Sequence, residues 1–224
     1  GEVLLLENTR FYKEEEKGGT DFAEKLSKHG DVYVNDAFGS AHRAHASTTI
    51  VANFFPKEKK MFGYLMEVEV ANATKILNSA EKPFTAILGG AKVSDKIMLI
   101  ENLLEKADNI IIGGGMAYTF FKTMGGNVGK SLVEEDKLQL ALQLLDKAKA
   151  KGVQFLLPED SMTADKFAAD AQKDHAYNMN IPDDLMGLDI GHKSIQCFKE
   201  IILNSKTILW NGPMGVFEFD NFSN

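Results

Sequence analysis

The stretch Thr85-Ala86-Ile87-Leu88-Gly89-Gly90-Ala91-Lys92-Val93-Ser94-Asp95-Lys96 contains the pattern that decides the fold. A short apolar run ends in two glycines, and a polar segment with two lysines follows. A continuous apolar run of this length is typical of a strand that is buried on both faces of a parallel sheet. The residues after it predict a loop that leads into a helix.

Apolar runs of the same kind recur along the chain, separated by segments with helical spacing. We predict strands at Val3–Leu6, Val32–Val34, Thr85–Leu88, Asn109–Ile112, Gln154–Leu157 and Thr207–Trp210. We predict helices at Asp21–Lys28, Ser94–Lys106, Met116–Thr123, Glu134–Lys151 and Lys193–Asn204. This alternation of strands and helices predicts an α/β fold with parallel sheets and right-handed crossovers.

The helix at Glu134–Lys151 has the clearest periodicity, and Gly152 follows it at the usual stop position. Its apolar face is predicted to consist of Leu138, Ala141, Leu142, Leu145 and Ala148.

One segment interrupts the alternation. Pro56 and a basic run are followed by a longer helix at residues 64–80. We interpret this helix as the connection between two lobes, residues 1–63 and residues 81–224. A surface helix within a single domain is the alternative.

Composition excludes several classes of protein. The net charge of −7 and the pI of about 5.3 argue against a nucleic-acid binder, which normally carries a basic patch. No apolar run approaches the roughly 20 residues that span a bilayer, and no signal peptide is visible. We therefore expect a cytoplasmic protein without membrane partners. The one cysteine, Cys197, cannot form an internal disulfide, and we expect it to be a small core residue.

The arginines point to an anionic ligand. Of 25 basic residues, Arg10 and Arg43 are arginines, which leaves 23 lysines. Both arginines follow predicted strands, and ligands bind at the carboxyl ends of strands in open α/β sheets. A guanidinium forms two parallel hydrogen bonds with a phosphate or carboxylate, which an ammonium group cannot do. Chance placement in surface loops is the alternative.

Glycines and lysines point to a phosphate ligand in the second half of the chain. Glycines follow the predicted strands that end at Leu88, Ile112 and Trp210, where they let backbone approach a ligand. Lys92 and Lys96 are four residues apart, so we expect them to share one face across a helix start. A solvated lysine pair is the alternative.

Two further patterns are weak. The segment Gly125–Ser131 resembles a Walker A loop, but Met124 occupies the position of the first glycine. Gly113-Gly114-Gly115 suggests a dinucleotide fingerprint, but Tyr118 occupies the position of its third glycine. A nicotinamide-dependent oxidoreductase is therefore the rival from a different class.

His42 and His45 are three residues apart, but no third metal ligand is apparent nearby. We expect no metal ligand in the chain.

Seven segments, taken together and in order, resemble phosphoglycerate kinases. They are Leu6–Phe11, Gly30–Gly39, Ala41–His45, Ile87–Lys96, Ile112–Ala117, Met186–Asp189 and Trp210–Glu218. The resemblance implies two Rossmann-like lobes that close about a hinge, with glycerate bound by the first and nucleotide by the second. It implies reversible phosphoryl transfer between 1,3-bisphosphoglycerate and ADP, which gives 3-phosphoglycerate and Mg-ATP.

The resemblance also implies roles for individual residues. Arg10, His42 and Arg43 would bind the substrate phosphate and the transferring group. Lys92 would contact the transferring phosphoryl group, and Lys96 the nucleotide phosphates. The adenosine pocket would be formed by Gly90, Gly114, Gly115, Phe167, Gly187, Leu188, Pro213 and Val216. Asn211 would lie near the phosphates. Glu218 would bind the ribose, although from the residues alone it is equally a surface carboxylate.

Two parts of the family pattern are missing from this sequence. They are the opening of the first lobe and the glycine-rich loop whose aspartate serves the Mg-nucleotide. We therefore expect both lobes to be incomplete and the 224-residue chain to be inactive or nearly so on its own. We also expect the protein to be a monomer. A non-catalytic nucleotide-binding remnant is the alternative.

Overall fold

The chain divides into two compact units, Gly1–Asn78 and Ser79–Asn224. A computed structural model describes residues 2–223, the side chain of Leu77 excepted. Both units combine helices with parallel strands, so the predicted α/β class is confirmed. None of the helices in this described range has the length and apolarity that a membrane crossing requires.

The first unit contains short elements around a small core. Its helices and strands are α1 (Lys13–Glu16), α2 (Thr20–Ser27), β1 (Tyr33–Asn35), β2 (Lys60–Phe62) and α3 (Tyr64–Ser79), the last of which ends in the second unit. β1 and β2 pair in parallel, with Tyr33 opposite Lys60. The core cluster is formed by Ala23, Ala46 and Val51.

The predicted strand at Val3–Leu6 is wrong. These residues form no strand, and Val3 and Leu5 are 97% and 92% exposed. A strand needs a neighbour to satisfy its N–H and C=O groups. Among the described residues of the first unit, β1 and β2 pair only with each other, so the apolar run has no strand partner.

A parallel sheet organises the second unit. Its strands are β3 (Phe84–Leu88), β4 (Asn109–Ile112), β6 (Gln154–Leu156) and β11 (Thr207–Asn211), in the order β11-β3-β4-β6. Each matches a strand that the sequence predicts, with ends that agree to one residue. All of β3 is buried, as expected for a strand covered on both faces.

The helices of this unit follow the predictions. They are α4 (Ile97–Leu103), α5 (Met116–Thr123), α6 (Leu138–Lys151) and α7 (His192–Asn204). α4 and α6 are shorter than predicted, α5 has the predicted bounds, and α7 begins one residue earlier. α6 ends at Gly152, whose φ of 69° places it in the left-handed region that favours glycine.

Two side chains on these helices differ from prediction. On α6 the buried residues are Ala141, Leu144 and Ala148, whereas Leu142 is 40% exposed. Adjacent residues on a helix point about 100° apart, so burial of Ala141 turns Leu142 outward. On α7 the buried side chains are Ser194 and Phe198. Cys197 is exposed, so its predicted place in the core is wrong.

A second, antiparallel sheet was not predicted. It consists of β7 (Asp160–Ala164), β8 (Lys173–Tyr177) and β10 (Met186–Ile190), in the order β10-β7-β8. A short parallel pair is formed by β5 (Asn127–Val128) and β9 (Asn180–Ile181). β7 is buried throughout although it contains Asp160, Ser161 and Thr163, so its sequence lacks the apolar run that identifies the other buried strands.

Asp160 connects this sheet to α7. Its carboxylate accepts hydrogen bonds from the N–H groups of Lys193 (3.2 Å) and Ser194 (2.8 Å), and from the Ser194 hydroxyl at 2.6 Å. The Nε2 of His175 lies 2.8 Å from the Asp160 Oδ2, the oxygen that also accepts from Lys193. Burial acts to raise the pKa of Asp160, but the bonds from Ser194, His175 and Lys193 outweigh it and lower the pKa to about 2.

We expect Asp160→Asn to destabilise the chain by about 2 kcal/mol at pH 7, because charge-assisted bonds to the first turn of α7 are lost. A carboxylate whose pKa is lowered by folding stabilises the fold at pH values above its ordinary, unfolded pKa. This stabilisation is lost at pH values below the pKa in the folded chain. The difference from wild type should therefore disappear as the pH falls from about 4 to about 2. Urea unfolding measures it, with the exposed Asp184→Asn as control. Equal stability of both variants at pH 7 would contradict the role of Asp160.

Candidate functional site

Arg10 lies in a short 3-10 helix, Thr9–Phe11, and is exposed. The side chain of Asn8 caps this helix by accepting a hydrogen bond from the Arg10 N–H at 3.0 Å. The guanidinium is thus carried on a capped turn and faces solvent, where it can meet an anion.

Arg43 and His42 lie together in a second loop of the first unit. The Arg43 Nε donates to the His42 Nε2 at 3.4 Å, and both residues are exposed. The Arg43 carbonyl accepts from the Thr49 hydroxyl at 2.9 Å, which closes the loop on itself. His45 is buried, so it lies in a different environment from His42.

In the second unit, the carboxyl ends of three neighbouring strands meet. The Gly89 N–H donates to the Asn211 carbonyl at 3.0 Å, and the Gly114 N–H donates to the Met214 carbonyl at 2.8 Å. A Cβ on Gly89 would overlap the carbonyl of Pro213. These glycines are required because backbone touches backbone, as expected where strands end beside a ligand.

Gly114 and Gly115 begin the turn into α5. Gly114 has a φ of +71°, and a Cβ on it would lie 2.5 Å from the Gly90 carbonyl oxygen. A Cβ on Gly115 would lie 3.1 Å from the carbonyl oxygen of Ala91. The glycine turn after β4 therefore packs directly on the loop after β3.

Lys96 reaches across these strand ends. Its Nζ donates a hydrogen bond to the side-chain oxygen of Asn211, and its stem passes beside Gly90. Lys92 is exposed in the loop before α4. Because α4 begins only at Ile97, the prediction that Lys92 and Lys96 share a face across a helix start is wrong. They belong to one loop instead.

The segment after β11 begins beside Gly89 and Gly114 and runs to β10. The Val216 N–H donates to the Leu188 carbonyl at 2.9 Å. Phe167 is exposed and packs on Phe219, with ring centroids 5.1 Å apart. Glu218, next to Phe219, is also exposed. Of the predicted adenosine residues, Phe167, Leu188 and Val216 thus form a second group around Phe219, connected to the first by residues 212–216.

Packing within the second unit explains why residue 187 is a glycine. A Cβ at this position would overlap the Tyr118 hydroxyl, which is buried and lies 2.7 Å from the Ser161 hydroxyl. Burial raises the pKa of Tyr118 above its usual range, so the phenol stays neutral. The Gly187 N–H donates to the Ser131 hydroxyl at 3.0 Å.

A large apolar groove lies beside the segment that follows β11, since Gly212, Pro213 and Gly215 are among its lining residues. It has a volume of about 810 Å³ and is lined by Ile190, Phe198 and Trp210 among others. The Trp210 indole N–H donates to the Gly212 carbonyl at 2.8 Å. Of the predicted nucleotide residues only Pro213 lines this groove, so we do not assign it to the nucleotide.

Sequence reasoning missed two carboxylates that contact the candidate loops. Glu15 accepts hydrogen bonds from Ser47, 32 residues away, and Glu134 accepts them from Ser94, 40 residues away. Burial acts to raise the pKa of Glu134, but the bonds from Ser94 outweigh it and lower the pKa. Neither glutamate follows a strand, so no sequence pattern identifies them.

Comparisons with known proteins agree on one family. The family model described as phosphoglycerate kinase matches residues 1–224. The phosphoglycerate kinase of Porphyromonas gingivalis is 54% identical over an alignment of 246 residues, which covers all of this chain and 59% of that protein. The cytosolic phosphoglycerate kinase of Nicotiana tabacum is 56% identical over 223 residues, which cover all of this chain and 55% of that protein.

A solved structure shows the same relation. The phosphoglycerate kinase of Coxiella burnetii has a TM-score of 0.79 and 39% identity, over 97% of this chain and 55% of that one. The chain therefore spans about half the length of the relatives it matches.

We expect Gly89→Ala to destabilise the second unit by about 3 kcal/mol, because its Cβ has to displace the backbone of Pro213. Denaturant unfolding followed by circular dichroism measures the change. Gly39→Ala is the matched control, since a Cβ there meets no atom within 4 Å, and its effect should stay within about 0.5 kcal/mol. Equal stability of the two variants would show that the strand ends are not tightly packed.

Proposed function

The chain belongs to the phosphoglycerate kinase family, and we propose that its protein catalyses reversible phosphoryl transfer between 1,3-bisphosphoglycerate and ADP. The match of the family model to residues 1–224 supports this activity. The observation that carries it is the meeting of glycine-bearing strand ends with Lys96 and Asn211, because this arrangement combines partly exposed glycine backbone with a fixed positive charge.

We propose a division of labour between two lobes. Residues 1–63 belong to the glycerate lobe, residues 64–80 to the connecting helix, and residues 81–224 to the nucleotide lobe. The two compact units, which divide between residues 78 and 79, support this assignment.

In the glycerate lobe, Arg10 and Arg43 bind the phosphate and the transferring group, with His42 beside Arg43. Phosphate oxygens accept paired hydrogen bonds from a guanidinium. The exposed positions of all three side chains support contact with a charged ligand from solvent.

In the nucleotide lobe, Lys92 and Lys96 neutralise the phosphates, and Asn211 fixes the Lys96 ammonium group. Gly90, Gly114 and Gly115 let the nucleotide approach the backbone. The adenosine is held by Phe167, Gly187, Leu188, Pro213 and Val216, and the ribose hydroxyls by Glu218.

The reaction needs charge stabilisation and positioning. A terminal phosphate oxygen of ADP attacks the phosphorus of the acyl phosphate. The bond from that phosphorus to the carboxyl oxygen breaks, and 3-phosphoglycerate leaves as a carboxylate. The attacking oxygen is already an anion and the leaving oxygen departs as a carboxylate, so no general base is needed. The arginines and lysines stabilise the charge on the equatorial oxygens.

Mg²⁺ enters as part of the Mg-nucleotide substrate and offsets phosphate charge. Within residues 2–223, no three His, Cys, Asp or Glu side chains are grouped to hold a metal. The chain's own proposed contribution is to bind the nucleotide phosphates through its lysines and glycines. We also propose a monomer in the cytoplasm, without nucleic-acid or membrane partners.

We expect Arg43→Lys in the full-length gene product to lower kcat/KM for 3-phosphoglycerate about 30-fold, or about 2 kcal/mol, because a paired hydrogen bond is replaced by a single one. A coupled assay in the direction of ATP consumption measures it. The control is Lys28→Arg, an exposed lysine of the first unit that pairs with Glu24. Unchanged kinetics for Arg43→Lys would contradict the assignment.

We expect the 224-residue chain alone to show no ATP formation from 1,3-bisphosphoglycerate and ADP, since family segments for both ligands are missing from its sequence. The same coupled assay, with the full-length gene product as positive control, measures turnover. Turnover at the full-length rate would show that these residues contain a complete active site.

A further inference from the structure

The loop that carries Arg43 is attached to a buried carboxylate. Glu15 is only 2% exposed, and its two oxygens accept from the Ser47 N–H at 3.1 Å and the Ser47 hydroxyl at 2.5 Å. The Glu15 carbonyl also accepts from the Ala46 N–H at 2.9 Å. One residue of α1 therefore holds two consecutive residues of the loop.

Further hydrogen bonds connect this attachment to Arg43. Thr49, two residues after Ser47, donates its hydroxyl to the Arg43 carbonyl at 2.9 Å. Tyr33 of β1 donates its hydroxyl to the Thr48 carbonyl at 2.7 Å. The backbone of Arg43 is thus connected to Glu15 through residues 47–49, which are hydrogen-bonded to α1 and to β1.

The loop that carries Lys92 and Lys96 is attached in the same way. The two Glu134 oxygens accept from the Ser94 N–H at 3.0 Å and the Ser94 hydroxyl at 2.6 Å. Ser94 lies midway between the two lysines. The Glu134 N–H in turn donates to the hydroxyl of Thr119, a buried residue of α5.

In each contact, the two carboxylate oxygens of one glutamate accept from the two donors of one serine, its N–H and its hydroxyl. Hydrogen bonds to a carboxylate are shorter and stronger than neutral ones, and a loop held at its middle loses little further freedom when it binds a ligand. Neither glutamate belongs to the ligand contacts proposed above. Their effect on binding is therefore indirect, through the loops.

We infer that Glu15 and Glu134 are positioning residues, each of which holds one phosphate-binding loop in its ligand-ready conformation by binding a serine within that loop. Glu15 acts on the loop of Arg43, and Glu134 on the loop of Lys92 and Lys96. The inference rests on the proposed function, since it takes phosphoglycerate and ADP as the ligands of these loops.

Isothermal titration of the full-length gene product with 3-phosphoglycerate and with ADP tests the inference. Glu15→Gln should weaken 3-phosphoglycerate binding about tenfold and leave ADP binding within about twofold. Glu134→Gln should do the reverse. The glutamine keeps the size of the side chain, but its NH₂ group cannot accept the second hydrogen bond from the serine.

Neighbouring glutamates provide matched controls. Glu16 and Glu135 are exposed, so Glu16→Gln and Glu135→Gln should bind both ligands as wild type does. A variant that weakens both ligands equally would indicate a general loss of structure and would overturn the inference.

The outcomes separate this inference from the proposed function. If wild type binds neither ligand, the proposed function fails and the inference falls with it. If wild type binds both ligands and the glutamine variants bind them equally well, only the inference fails.

Serine variants decide the matter if a glutamine variant does not fold. Ser47→Ala and Ser94→Ala remove one hydroxyl bond each and keep the carboxylate and the backbone bond. We expect about threefold weaker binding of 3-phosphoglycerate and of ADP, respectively. Wild-type affinity for both ligands in both folded serine variants would overturn the inference.

Discussion

The close approach of backbone to backbone at the carboxyl ends of β3, β4 and β11 is the constraint on which the second unit depends. The sheet order places β3 between the other two, so the loops that follow these strands have to share one small space. Gly89 against Pro213 and Gly114 against Gly90 show how tightly they do so. This packing brings Lys96 to Asn211 and leaves polar backbone facing the edge where ligands bind in such sheets.

Glycine-rich loops have a weakness that the rest of the structure corrects. Glycine loses more conformational freedom on folding than other residues, and a phosphate site works best when its donors are fixed beforehand. In the second unit the correction is Glu134, which binds Ser94 of the glycine-containing loop after β3. In the first unit Glu15 binds Ser47 in the same way, in a loop without glycine. The same solution appears twice in one chain although the loops differ in sequence.

Sequence predicted the parallel sheet well and the rest of the fold less well. Asn109–Ile112 was found because an apolar run inside a buried sheet carries its own signal. Val3–Leu6 shows the same signal but forms no strand, because a strand also depends on a partner. β7 was missed for the opposite reason, since hydrogen bonds satisfy Asp160 and Ser161, two polar side chains that it buries.

The candidate site could be predicted where topology alone determines it. Residues after parallel strands have to meet at one edge, which brought Lys96, Asn211 and the glycines together. The positions of Glu15 and Glu134 depend on contacts 32 and 40 residues apart in the chain, and no local pattern encodes them.

One further feature of the edge where β3, β4 and β11 end is of practical use. Trp210, the chain's one tryptophan, is 64% exposed and hydrogen-bonded to Gly212. Because indole emission responds to local polarity and hydrogen bonding, the protein has an intrinsic fluorescent reporter beside its glycine-rich edge and needs no attached dye.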